Sequence, residues 1–225
     1  YFMPKSPANL LALNETQDFA QRLDLNSNPI QETKNLYRFE DPDFILRSLR
    51  YDIVSNNFIL RYRFEEDTGV LNEKNFAGSD ALRNEAKSLL QSYELYHNDI
   101  QFGTTNVSFL HLVGDKLVPT TSQSSSDAIR IDFYRKTIGN TPIVIPNPDE
   151  GPINFVFSGS SNSKQRILQF AYTYWPIDYD TRASYGLKTS AQAWQELQSG
   201  TGYIARYPKT GTAAVVRNVY LAYYD

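Results

Sequence analysis

The sequence predicts an α+β fold, antiparallel sheets with about three helices packed on them, and three observations lead there. Several segments alternate apolar and polar residues with a period of two, the mark of half-buried strands. A few others space their apolar residues by three and four, as a helix laid on a core does. Short turns rather than helical crossovers separate the strands, which disfavours a doubly wound parallel sheet and with it the usual nucleotide crevice.

Residues 1–13 carry two prolines and no clear period, and they read as a tether. Asn14, with Gln17 three residues on, is the expected N-cap of a short helix to about Leu23, with Leu13, Phe19, Ala20 and Leu23 near one face. Extended segments are expected at Thr33 to Phe39, Phe44 to Val54 and Phe58 to Phe64, joined by turns at Asp41-Pro42-Asp43 and Ser55-Asn56-Asn57. In the third, Phe58, Leu60, Tyr62 and Phe64 face a core, and Arg61 and Arg63 face water. Ser79 is the expected cap of a longer helix bearing Leu82, Ala86, Leu89, Leu90 and Tyr93.

Strands then recur at Asn106 to Val113, Ala128 to Thr137, Ile153 to Phe157 and Gln165 to Trp175, the last with Leu168, Phe170, Tyr172 and Tyr174 along one side. The intervening Ser158 to Lys164, SGSSNSK, reads as a polar hairpin tip. Thr189 and Gln192 form a capping-box pair before Ala193, Trp194 and Leu197, and Ser199-Gly200 stops that helix. Strands at Gly202 to Arg206 and Ala213 to Tyr224 complete the chain. A helix followed by hairpins recurs, which suggests a repeated module without a residue-level repeat. The expected division is an N-terminal module over 14–72 and a larger one over 73–225, able to pack as one domain.

Composition narrows the functional classes. With 225 residues, 41% apolar and 21% charged, the chain has the makeup of a folded globular protein. A net charge of −3 supplies no positive field to gather phosphates, so nucleic-acid binding has no electrostatic footprint. The absence of Cys excludes disulfides, thiolate zinc sites and Cys nucleophiles. Sixteen Tyr against one Met and two His is a makeup associated with exported domains. No apolar run approaches the ~20 residues of a membrane span, so the expectation is an anchor upstream of Tyr1.

Several short strings match fragments of catalytic patterns. Ser161 and Lys164 form an S-x-x-K, Lys209-Thr210-Gly211 a K-T-G and Ser55-Asn56-Asn57 an S-x-N. Acyl-enzyme chemistry needs Ser and Lys one helical turn apart, yet this pair sits in a Ser/Gly stretch and the order is reversed, so turn chemistry is the expectation. His97 and His111 lack zinc-site spacing; His111 reads as a hydrogen-bonded core or edge imidazole and His97 as solvated. The acidic groups at Glu40-Asp41-Pro42-Asp43, Glu65-Glu66-Asp67 and Asp149-Glu150-Gly151 lack calcium-loop spacing and read as solvated turns. No metal and no cofactor is expected, and no catalytic residue is assigned. The run Tyr172-Thr173-Tyr174-Trp175 is read first as core packing, with sugar stacking on Trp175 as the alternative.

In the last thirty-six residues, Ala193, Trp194, Leu197, Gly200, Ile204 and Val219-Tyr220-Leu221-Ala222-Tyr223-Tyr224 follow a helix, Gly turn, strand, Tyr-Tyr order. That stretch resembles the close of YycI/YycH-type extracytoplasmic regulatory proteins, and the earlier helix-then-strand segments look like PepSY-type modules. The resemblance implies an outward-facing, membrane-tethered bacterial protein that works by protein contact, with a membrane sensor protein as partner. It carries over no catalytic residue. In such modules a further strand follows the Tyr-Tyr, so the last strand is expected to lack a neighbour and to invite strand addition. The expected contact residues are Val216, Asn218, Tyr220 and Tyr224, with the Ser158 to Lys164 hairpin as another surface. Two alternatives stand beside this regulatory reading: a surface-structural or carbohydrate-binding protein, and a hydrolase using Ser/Lys or paired carboxylates.

Overall fold

The computed structural model describes residues 2–4, 12–138, 141–145, 149–182, 184, 186–201 and 220–224. Its strands in chain order are β1 (Phe2–Pro4), β2 (Ile30–Gln31), β3 (Leu36–Glu40), β4 (Arg47–Asp52), β5 (Asn57–Tyr62), β6 (Ile100–Val113), β7 (Lys116–Thr120), β8 (Ala128–Arg135), β9 (Ile143–Val144), β10 (Ile153–Ser158), β11 (Ile167–Tyr172), β12 (Ile177–Arg182) and β13 (Tyr223–Tyr224). The helices are α1 (Ala12–Arg22), α2 (Ser79–Ser92), α3 (Ser163–Arg166) and α4 (Ser190–Gln198). The fold is α+β. The chain forms two compact units, one of residues 6–135 and 150–175, the other of residues 1–5, 136–149 and 176–225.

The first unit is built on a nine-stranded antiparallel sheet in the order β2-β3-β4-β5-β11-β10-β8-β6-β7. The ladder between β5 and β11, with Phe58 opposite Tyr172, runs across the boundary expected at residue 72, so both sides share one sheet. Alternation puts Leu49, Phe58, Leu60, Ile129, Ile131, Phe155 and Phe170 on one face. The buried stripes of α1 (Phe19, Ala20) and α2 (Leu82, Ala86, Leu90) join the same cluster, so both helices cover that face. Aromatic contacts fill it: Phe155 and Phe170 stack with centroids 4.1 Å apart, and Phe19 meets Phe58 at a tilt, 4.8 Å between centroids.

A smaller cluster takes Leu110, Ala128 and Val156, which point the other way from those strands, together with Phe64, Val70, Leu71 and Leu168. Leu168 does not stay with Phe170 and Tyr172 as the period of two predicts. Val156 opposes Gln169 and Phe157 opposes Ile167, so a β-bulge leaves Leu168 unpaired, resets the alternation and sends it to the second cluster.

Other expectations are corrected. Asn14 is not a cap, because α1 already begins at Ala12. The cap of α2 is Gly78, with Ser79 its first helical residue. Part of the predicted tether, Phe2–Pro4, is a strand paired antiparallel to β12. The stretch from Ser158 to Lys164 does link the antiparallel strands β10 and β11, with Ser161, Asn162 and Ser163 exposed at its tip, but its base is not solvated. Ser158 and Ser160 are buried, and Ser158 Oγ donates to the Gln165 carbonyl at 2.8 Å. Gly159 packs so tightly beside Lys74 that a Cβ there would stand 2.1 Å from the Glu73 carbonyl oxygen.

In the second unit, α4 starts with the predicted capping box of Thr189 and Gln192. The predicted strand Gly202 to Arg206 and most of Ala213 to Tyr224 lie outside the described residues. Within the described part, the last strand is confined to Tyr223–Tyr224 and has a neighbour, pairing in parallel with Ile143–Val144.

Candidate functional site

The sheet face opposite the helices carries a cross-strand row in which Arg61 opposes Gln169, Gln169 opposes Val156 and Val156 opposes Arg130. Four adjacent strands thus place two guanidinium groups on either side of an amide and a valine. The hairpin of β6 and β7 forms a further wall with Leu110, Leu117, Lys116 and Asp115. Its two-residue turn rests on Gly114 at φ +65°, the conformation that the first position of a type II′ turn requires. Together with Phe64, Glu65, Glu150 and Leu168 these residues enclose a cleft of about 300 Å³, apolar at its floor and charged at its rim.

Most of the rim charges are paired. Arg61 donates to Glu65. Arg130 donates from Nε to Asp132 at 3.0 Å and from Nη1 to Glu150 at 2.9 Å. The Gly151 amide donates to Asp132 at 2.8 Å, Asn154 Nδ2 to the Gly151 carbonyl at 3.0 Å, and Gln169 Nε2 to Asn154 Oδ1 at 2.8 Å. A Cβ on Gly151 would stand 2.6 Å from the Phe133 carbonyl oxygen, so glycine is what lets this return loop close on β8. Asp132 is wholly buried, and burial pushes its carboxyl pKa up despite the Gly151 amide and Arg130. Such a network fixes the rim, while the floor residues Leu110, Val156 and Leu168 are already packed in the second cluster.

Asp41 shows the opposite balance. Burial raises its pKa, but hydrogen bonds from Arg47 at 2.8 Å, from the Asp43 and Phe44 amides and from Lys164 at 3.1 Å outweigh it and hold the carboxyl below the ordinary range. The predicted solvated turn is therefore a buried ionic junction, because Arg47, which also donates to the Leu23 carbonyl at 2.9 Å, needs a carboxylate beside it. Lys164 spends its amine on Asp41 and Asp43, each at 3.1 Å. Its S-x-x-K partner Ser161 uses its backbone amide on Glu73, and Lys209 lies outside the described residues.

The histidines divide. His111 is neither in the core nor on an edge strand: it is exposed on β6, between β8 and β7 in the sheet order, with Nδ1 2.7 Å from Asp127. His97 is not solvated: its ring stacks on Tyr174 at 4.1 Å, and burial lowers its pKa. Tyr174 also donates to Asp99 at 2.9 Å and lies under Arg135 at 4.5 Å. Tyr172 and Tyr174 are buried as predicted for core packing. Trp175 is half-buried, and its carbonyl accepts from Arg135 at 2.7 Å.

Among the expected contact residues, Val216 and Asn218 lie outside the described residues, Tyr220 is 65% exposed, and Tyr224 lies in β13. Sequence reasoning left Arg61 as a solvated position and did not single out Arg130; the usable signal was the pair Arg130 and Asp132, opposite charges two residues apart on one face of a strand whose other face carries Ile129, Ile131 and Phe133. Among the described residues no group of three or more His, Asp or Glu is placed to hold a metal ion, and no helix is long and apolar enough to cross a membrane. Compared with protein-family models, with curated proteins and with solved structures, the chain has no match in any of the three.

Proposed function

We propose that this chain is a non-enzymatic protein-interaction domain with a regulatory role outside the cytoplasm, tethered to a membrane in the manner of the YycI/YycH-type proteins that its C-terminal segment resembles. The observation that carries the interaction reading is helix α4. Its nine residues are fewer than the roughly 12–15 at which an isolated helix becomes even marginal in water. None of them is buried, and Trp194 and Leu197 are exposed. The capping box contributes on the order of 1 kcal/mol, too little to replace a packing surface. Burial of Trp194 and Leu197 against a partner supplies the stabilisation such a helix needs. Leu187, Tyr220 and Leu221 add exposed apolar area in the same unit, 69%, 65% and 56% exposed.

The test is site-specific photo-cross-linking in bacterial membrane extracts, with the reactive group at position 194 or 220 and, as comparison, at the exposed Val54 of the other unit. A protein captured from 194 and 220 but not from 54, and lost in a Leu197→Asp variant, supports the reading. Equal capture from all three positions, or none from 194 and 220, removes it.

A further inference from the structure

We propose that the stack of His97 on Tyr174 is an acid-released latch, which pins the turn leading from α2 into β6 against the ends of β8 and β11 and frees it when the imidazole takes up a proton. This inference goes beyond the interaction reading and does not depend on it; every group it uses belongs to the sheet-containing unit.

Leu95 and Tyr96 pack against the aromatic cluster, and the turn after them closes with the Ile100 amide donating to the His97 carbonyl at 3.0 Å. His97 and Asp99 fasten that turn to the sheet. The His97 ring lies on Tyr174 at 4.1 Å with the planes 11° apart, and Asp99 accepts from the Tyr174 hydroxyl at 2.9 Å and from Arg135 Nε and Nη2 at 3.0 and 2.7 Å. Among the described residues the charged groups acting on the imidazole are Asp99, in its own turn, and Arg135, at the end of β8; Tyr174 is the titratable group it touches. With His97 neutral, Asp99 and Arg135 balance. A proton adds a second cation to a ring that Arg135 already covers at 4.5 Å, so the attraction of an imidazolium for a tyrosine face is offset by repulsion between the two cations. Both oxygens of Asp99 are engaged, Oδ1 by Tyr174 and Oδ2 by Arg135, so the carboxylate gives the new charge no preformed partner. Burial chiefly, and Arg135 with it, hold the imidazole below its ordinary 6.5 against the pull of Asp99. In water the ring regains the ordinary value, so the latch is fully closed above it and opens as pH falls below it.

The experiment is an NMR titration of the full chain from about pH 7.5 to 4.5, following the His97 ring protons and the Ile100 amide. The ring current of Tyr174 displaces the imidazole protons upfield at neutral pH, and that displacement is expected to vanish with a midpoint below 6.5. Over the same range Ile100 amide exchange, corrected for its intrinsic pH dependence, is expected to accelerate by about tenfold for each pH unit that separates the latched and released values. His97→Phe keeps a flat ring on Tyr174 but cannot titrate, so its Ile100 amide is expected to stay protected throughout; should that variant misfold, the two midpoints of the unsubstituted chain decide alone. Ring protons that keep their displacement after the imidazole has titrated, a midpoint at or above 6.5, or Ile100 exchange that does not respond to acid each overturns the proposal. So does acid-accelerated exchange of equal size in His97→Phe, which would trace the opening to a carboxylate such as Asp99.

Discussion

Under α1 and α2 the nine-stranded sheet buries rings, with Phe155 stacked on Phe170 and Phe58 set edge-on to Phe170 and tilted against Phe19, whereas its other face combines a smaller apolar cluster with buried polar groups, Asp132 bonded to Arg130 and the Gly151 amide, and Asn154 to the Gly151 carbonyl and Gln169. The first face is stabilised by area and dispersion, terms that tolerate some change of partner. The second depends on each donor meeting its acceptor, because a buried polar atom left alone forfeits its hydration. Apolar burial therefore holds the unit together, and hydrogen bonding defines the shape of the cleft.

The sharpest way to break this comparison is to make a cavity under the helices. Phe155→Ala is expected to lose about 3–5 kcal/mol of unfolding free energy in urea denaturation; a loss no larger than that of Gln169→Leu on the other face would contradict the division of labour. Next comes Asp41→Ala, which strands Arg47 in a buried site and is expected to cost about 3 kcal/mol or more.

The two buried aspartates also give pH profiles of opposite sign. Asp41 has its pKa lowered, so its contribution is complete above the ordinary value of 3.8 and is lost as pH falls through the folded value; Asp41→Asn flattens that acid limb. Asp132 has its pKa raised, so its contribution is present below 3.8 and is lost as pH rises through the folded value; Asp132→Asn removes that decline. Denaturation midpoints measured from pH 3 to pH 7 distinguish the two, and slopes of the same sign would refute the assignment.

Smaller is Gly159→Ala, expected to cost about 1–3 kcal/mol because a Cβ meets the Glu73 backbone, with the shift read from thermal unfolding. The smallest change sharpens the contrast between units. Thr189→Ala removes one side of the capping box and costs α4 about 1 kcal/mol in local hydrogen exchange, while the midpoint of the sheet-containing unit stays unchanged.

Where local chemistry decides, the chain was readable. The alternation of β5 and β8, the stripe of Leu82, Ala86 and Leu90, and the Thr189 to Gln192 box each follow from residues a few positions apart. Strand β7 was missed because Lys116 and Pro119 dilute its apolar signal, and β12 because Ile177 to Arg182 alternates with aspartates. Leu168 was misplaced because a bulge is a property of two strands, visible only when Val156 and Gln169 are set opposite one another. Asp41 was read as solvated because its partners Arg47 and Lys164 reach it from six and 123 residues away. The cleft stayed hidden for the same reason, since pairing Arg61 with Gln169 is tertiary information.

Pro119 has one more effect. Counting from the Val113–Lys116 pair that closes the hairpin, Pro119 sits opposite Leu110, where β7 turns its amide position away from β6 and toward open solvent. An imino acid has no hydrogen to give there, so the outermost strand presents an interrupted template to any passing chain. At the far margin β2 is only two residues long. A tenth strand would find poor purchase on either border, which guards so broad a sheet against edge-to-edge pairing.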